Sequence, residues 1–219
     1  MPVMSQFLSP LTNRRDDRWG GSLENRARFG RAVLSAIRAA VGPSFPVAIK
    51  LNSADFQRGG FTTDDAIEVV RALDAAGIDL IEVSGGNYES PAMAGSGELR
   101  KKQRASSLER EAYFLDYAKR IRTQAKVPIL LTGGMRSRAV MEEALASGAV
   151  DAIGLGRPMT HTPELPARLL DGTLDAAPPV RIRSRIRFVD DALQAMWFQQ
   201  QIHELAHGRE PNLKLGAWT

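Results

Sequence analysis

Few residues in this chain of 219 can carry nucleophilic, acid–base or metal chemistry: there is no cysteine, and the histidines are His161, His203 and His207. Without thiols, the chain has no disulfides, thiolate nucleophiles, iron–sulfur clusters or thiolate zinc sites. Two of the histidines stand in His203-Glu204-Leu205-Ala206-His207. This matches H-E-x-x-H, in which two imidazoles one helical turn apart bind zinc and a glutamate acts as general base. A catalytic zinc needs a third protein ligand, commonly from further along the chain. Twelve residues follow His207, Glu210 carries the single side-chain carboxylate among them, and Gly208 is placed to end the helix first. No metal site is expected.

A second kind of chemistry is written in glycine. Three short apolar runs end in small residues: Ser84-Gly85-Gly86, Thr132-Gly133-Gly134, and Gly154-Leu155-Gly156, the last followed by Arg157. In α/β proteins the carboxyl ends of strands carry the site, and glycine lets a ligand approach the backbone closely. Bare N–H groups at a Gly turn and a helix start, with a guanidinium beside them, suit an anion such as phosphate. The plainer alternative is that these glycines only turn the chain. None fits the dinucleotide pattern G-x-G-x-x-G, so a nicotinamide-type Rossmann site is not supported.

The elements that would position these residues alternate along the chain. Ser22 is a fitting N-cap, with Glu24 in the first turn, for a helix with apolar positions Leu23, Ala27, Val33, Leu34, Ile37 and Val41, stopped by Gly42-Pro43. A β-branched run, 46–51, follows. The unit then repeats: helix 63–76 and strand 80–84, helix 111–123 and strand 127–132, helix 137–147 and strand 152–155. Short, continuously apolar strands flanked by helices predict an α/β fold with a parallel sheet, either doubly wound or a (β/α) barrel. The connection from Gly85 to Glu109 is long enough to be a lid or a solvated loop, and its Lys101, Lys102 and Arg104 could steer an anionic substrate. The alternating segment Arg181 to Arg187 reads as a solvated extended stretch rather than a nucleic-acid stripe. A tail helix over 189–206 has the apolar set Val189, Leu193, Met196, Trp197, Ile202 and Leu205, expected to pack.

Composition bounds the class. With 43% hydrophobic, 25% charged and 6% aromatic residues and a net charge of +4, the chain is expected to be one globular domain, 1–219. No apolar run approaches the roughly 20 residues that span a bilayer, and the start, Met1 to Gln6, lacks a basic region leading into an apolar core. A cytoplasmic protein with neither membrane nor nucleic-acid partners is expected.

The stretch Ser5-Gln6-Phe7-Leu8-Ser9-Pro10-Leu11-Thr12-Asn13-Arg14-Arg15-Asp16-Asp17, continuing through Trp19-Gly20-Gly21-Ser22-Leu23-Glu24-Asn25-Arg26, resembles the Old Yellow Enzyme family of FMN-dependent NAD(P)H oxidoreductases. The resemblance extends through Lys50-Leu51-Asn52-Ser53-Ala54-Asp55-Phe56, Ser84-Gly85-Gly86, Thr132-Gly133-Gly134-Met135 and Gly156-Arg157-Pro158, and fades in the last thirty or so residues. It implies a TIM (β/α)8-barrel fold, of which about four βα units, strands five to eight, fall in residues 1–160, with a helical tail over 161–219. It further implies FMN as cofactor and NAD(P)H as reductant, with flavin N5 passing hydride to an activated alkene or a quinone. By this likeness Lys50 faces the flavin pyrimidine, Ser84 lines the flavin pocket, and Gly133, Gly134, Gly156 and Arg157 bind the phosphate. For Lys50 the plainer alternative is a snorkelling lysine at a barrel rim.

The family's substrate side has no counterpart here. Its His-His or His-Asn pair would lie before Met1, and the place of its proton-donating tyrosine falls on Pro2, so the catalytic residues stay unassigned. Two expectations follow: the carboxyl-terminal half of an ene-reductase-like flavoenzyme, or a non-catalytic half-barrel that binds FMN weakly or acts by association. Four parallel strands in an open array expose two edges, which predicts a homo-oligomer or pairing with a complementary half-barrel.

Overall fold

The computed structural model describes residues 3–55, 58–84, 107–180 and 190–214. The basic segments Lys101 to Arg104 and Arg181 to Arg187 lie outside the described residues, as does most of the long connection after Ser84. The chain begins with α1 (Val3–Leu8) and α2 (Leu23–Val41), then β1 (Ala48–Asn52), α3 (Thr63–Ala75), β2 (Leu80–Ser84), α4 (Ser107–Arg122), β3 (Ile129–Thr132), α5 (Arg138–Ala146) and β4 (Ala152–Gly154). A 3-10 turn (Arg157–Thr160), α6 (Leu165–Leu170) and α7 (Asp190–Ala206) complete it. No helix among the described residues is long and apolar enough to cross a membrane.

The four strands are parallel and lie in the order β1-β2-β3-β4. A doubly wound sheet reverses its strand order at a switch point; this one does not, so every crossover falls on one side, as in a (β/α) barrel. The pleat shows the same asymmetry. Ile81, Val83, Ile129 and Leu131 are fully buried on the face beneath the helices, with Leu51 beside them. Lys50, Glu82, Leu130 and Ala152 share one register level on the opposite face, where Lys50 is exposed and the other three are half-buried.

Local chemistry explains the elements. Ser22 Oγ accepts from the Asn25 N–H to cap α2, and Thr62 forms a reciprocal capping box with Asp65 at α3. Gly42 and Gly77 follow α2 and α3 with φ of 79° each, a conformation that disfavours any side chain. The loop before α2 is stapled by Asn13, whose side-chain amide donates to the carbonyls of Phe7 and Trp19 at 2.7 Å each. Arg26 donates to the carbonyls of Leu8 and Gly21, also at 2.7 Å, and its guanidinium lies 3.6 Å from Asp65. These contacts bind α1 and the loop to α2 and α3.

Several boundaries differ from expectation. Strands β1 and β3 start two residues late because Pro46 and Pro128, which cannot donate to a ladder, precede them. Helix α4 begins at Ser107, so the long connection is shorter than expected. In α7, Met196 and Ile202 are exposed at 65% and 45%, whereas Gln201 is fully buried. The expected apolar set is thus only partly a packing stripe: Gln201 is interior, with Nε2 donating to the Asn212 carbonyl at 3.3 Å and Oε1 buried without a hydrogen-bond partner.

Candidate functional site

Parallel register fixes what Lys50 meets. Lys50 is the Cα partner of Glu82, both side chains rise from the open face, and the ammonium pairs with the Glu82 carboxylate. One level further along, Asn52 is opposite Ser84 and Thr132 is opposite Gly154. The carboxyl ends of the strands therefore present a floor of small, largely polar groups with a charged pair just beneath it. The turn after β1 is held by Asp55, which accepts from Phe61 N–H at 2.9 Å and from the Asn52 amide at 3.1 Å.

Beyond β3, Gly133 and Gly134 have φ of 107° and 74°, and the buried Met135 anchors the chain after them. That double left-handed turn explains the glycines by backbone conformation alone. Arg136 and Arg138 then bind the segment after α6: Ala177 N–H donates to the Arg136 carbonyl and Arg138 N–H to the Asp175 carbonyl, each at 2.8 Å.

The end of β4 differs. Gly156 has φ of −102° and ψ of −94°, and a Cβ placed on it would meet nothing within 4 Å, so packing does not demand glycine there. It opens the 3-10 turn, to which no side chain supplies a capping bond. Arg157, exposed, has its guanidinium 6.0 Å from the ring centroid of Phe198 on α7. His161 closes the turn, with its ring 5.8 Å from Trp197 and 6.4 Å from Phe198. Burial and the charge of Arg136 hold its imidazole below the ordinary pKa, hence neutral near pH 7.

Lys50, Ser84, Gly133, Gly134, Gly156 and Arg157 thus lie along one open face and the adjoining strand ends. Sequence reasoning missed Glu82, Thr132 and the aromatic pair of α7. Glu82 had a signal: Ala-Ile-Lys-Leu-Asn and Leu-Ile-Glu-Val-Ser each place one charge, of opposite sign, inside an apolar run. The H-E-x-x-H pair is on the exposed end of α7, and no group of three or more His, Cys, Asp or Glu able to hold a metal occurs among the described residues.

Comparison with known proteins gives this arrangement a lineage. The chain is 44% identical over 167 residues to the NADH-dependent flavin oxidoreductase iliE of Neonectria sp. (strain DH2), covering 75% of this chain and 22% of that protein. A 2-naphthoyl-CoA reductase complex superposes with a TM-score of 0.70 at 31% identity, over 87% of this chain and 28% of the other. The Old Yellow Enzyme homologue from Zymomonas mobilis shares the fold, with a TM-score of 0.59 at 24% identity, over 81% of this chain and 46% of that one. The chain spans less than half the length of each of these relatives. The family model described as NADH:flavin oxidoreductase / NADH oxidase matches residues 3–175, and the chain belongs to that family, as a TIM-barrel segment of the Old Yellow Enzyme type.

Proposed function

We propose that this chain supplies the pyrimidine and phosphate side of an FMN site in an NAD(P)H-dependent oxidoreductase acting on an activated alkene or a quinone. The observation that carries this reading is Gly156: a glycine at a strand's carboxyl end, beside an arginine, with open space where a Cβ would stand. A cradle that a methyl group would fill is what close approach of a phosphate needs. Across the sheet, Lys50 on β1 and Gly156 beyond β4 are separated by three strand spacings of about 4.8 Å, roughly 14 Å laterally. That separation suits an elongated ligand with a heterocycle at one end and a phosphate at the other.

FMN, when bound, supplies hydride transfer between NAD(P)H and the substrate. The residues of this chain hold and bias it. Arg157 and the N–H groups around Gly133, Gly134 and Gly156 would grip the phosphate through charge-assisted hydrogen bonds. Lys50 would set a positive charge against the pyrimidine edge, held in place and partly offset by Glu82. Ser84 and Asn52 would line the floor. No side chain here is assigned to the substrate or to proton donation.

A second reading is supported by the sheet itself. Among the described residues β1 and β4 pair on one side only, and the open face retains Leu80, Leu130 and Ala152 half-buried. A complementary set of βα units, in a second copy or another chain, would close the barrel over them. The two readings separate by titrating the purified chain with FMN and with riboflavin and following flavin fluorescence, alongside sedimentation. Tighter binding of FMN than of riboflavin by roughly 10-fold or more, lost in Arg157→Ala, supports the phosphate cradle. Equal binding, or none, overturns it and leaves association as the reading, which a monodisperse monomer in turn opposes.

A further inference from the structure

The His203-Glu204-Leu205-Ala206-His207 segment has a geometry of its own. His203 and His207 stand one turn apart on the exposed side of α7, with ring centroids 4.2 Å apart and planes inclined at 47°. His207 Nδ1 is 2.8 Å from the backbone carbonyl of His203. A carbonyl can only accept, so Nδ1 is the donor here, and in the neutral ring Nε2 is left as the atom able to bind an ion. That bond is the outer support typical of a metal-ligating imidazole, fixing both tautomer and ring orientation.

Glu204 is otherwise engaged. Its carboxylate pairs with Arg209 and accepts from Gln200 Nε2 at 2.7 Å. It is therefore neither a ligand nor a free base. With no third ligand gathered among the described residues, the segment lacks the machinery of a hydrolytic zinc centre.

We propose that His203 and His207 form a two-imidazole chelating clip for a late divalent transition ion, Cu(II) above Ni(II) and Zn(II), its remaining positions filled by water. Rings this close can both reach one ion at metal–nitrogen bonds of about 2.0–2.1 Å. Two neutral nitrogen donors without a carboxylate select borderline ions and reject Mg(II) and Ca(II). The clip ties the last turn of the helix whose Trp197 and Phe198 lie against the 3-10 turn. It stands independently of the flavin reading.

The test is equilibrium dialysis of the untagged full chain against CuCl2 and NiCl2, with electron paramagnetic resonance of the Cu(II) form. The expected result is one equivalent bound, a signal coupled to two imidazole nitrogens, and at least tenfold weaker binding in His203→Ala and in His207→Ala. Both histidines are exposed, so these variants fold as the parent does, which circular dichroism checks. Glu204→Gln keeps the affinity. Unchanged binding in either histidine variant overturns the clip, as does a tenfold loss in Glu204→Gln, which would make the glutamate a ligand.

Discussion

Replacing Gly156 and Gly154 by alanine, one at a time, separates a glycine kept for a ligand from one kept for the chain. Gly133 and Gly134 cannot serve, because at φ of 107° and 74° any side chain is strained whether or not a ligand binds. At Gly156 φ is −102° and the new methyl meets nothing within 4 Å. Gly156→Ala therefore makes no clash in the free chain, and any backbone cost, about 1–3 kcal/mol for a sparsely populated φ/ψ pair, falls on stability and not on the choice between flavins. If the cradle holds a phosphate, the same methyl costs the close approach, and losing one charged hydrogen bond of about 1.5–3 kcal/mol lowers FMN affinity roughly 10- to 150-fold. Riboflavin, without the phosphate, should bind as before. Gly154 is the contrast: its Cβ would fall far inside contact distance of Thr132 Oγ1, 2.9 Å from Leu130 Cδ2 and 3.1 Å from Thr132 Cβ. Gly154→Ala should cost about 1–3 kcal/mol by overpacking, roughly 2–12 °C in Tm, and weaken both flavins together. Adding Thr132→Ala should recover much of that loss, since the two residues face each other in register. Thermal melts and flavin fluorescence titrations read all of this. An alanine at 156 that leaves the FMN-to-riboflavin ratio untouched refutes the reasoning.

Three further outcomes are expected. Glu82→Gln removes the counter-charge on Lys50 and should raise the reduction potential of bound FMN, whereas Lys50→Met should lower it; equal potentials in a spectroelectrochemical titration would separate Lys50 from the flavin. Asn13→Leu leaves the part-buried Phe7 and Trp19 carbonyls without their donor and should cost roughly 2–6 kcal/mol, at about 1–3 kcal/mol for each group left unmatched; denaturation followed by tryptophan fluorescence measures it. His161 has its pKa lowered from the ordinary 6.5 by burial and by Arg136. The unfolded chain therefore binds the proton first, and stability should fall as pH drops below about 6.5, levelling off beneath the folded-state pKa. Urea melts from pH 7.5 to 5 should show that slope in the parent and a flatter one in His161→Leu.

How much of this was legible depended on which physics set each feature. The crossover helices were readable because their caps and stops, Ser22, Thr62, Gly42 and Gly77, act locally. The six-residue helices α1 and α6 were missed: each is too short for a periodic apolar stripe and is held by its neighbours, as Arg26 holds the Leu8 carbonyl. Glycines at strand ends marked the site region, but sequence could not say which were conformational. Positive φ marks Gly133 and Gly134 as conformational, and empty space where a Cβ would stand divides Gly156 from Gly154. On α7 the residue types suggested one buried stripe, yet Gln201 is inside and Met196 outside.

The open face carries a gradient that bears on the choice between enzyme half and inert scaffold. At its lowest register level Ala48 is opposite Leu80; at the next, Lys50, Glu82, Leu130 and Ala152 lie side by side; at the top are Asn52, Ser84, Thr132 and Gly154. An open sheet adapted to water would be expected to place charge along its whole length. Here the lower level is apolar and the top is small and polar, the pattern of a barrel packed at its base with a site at the carboxyl rim. The ion pair sits between them, on β1 and β2 only, while β3 and β4 offer Leu130 and Ala152 at the same level. That placement puts a cation near one end of the rim and the Gly156–Arg157 turn beyond β4 at the other. A scaffold that acted only by association would need the apolar base but not this division at the top. The polarity of the rim therefore favours a bound ligand over closure alone.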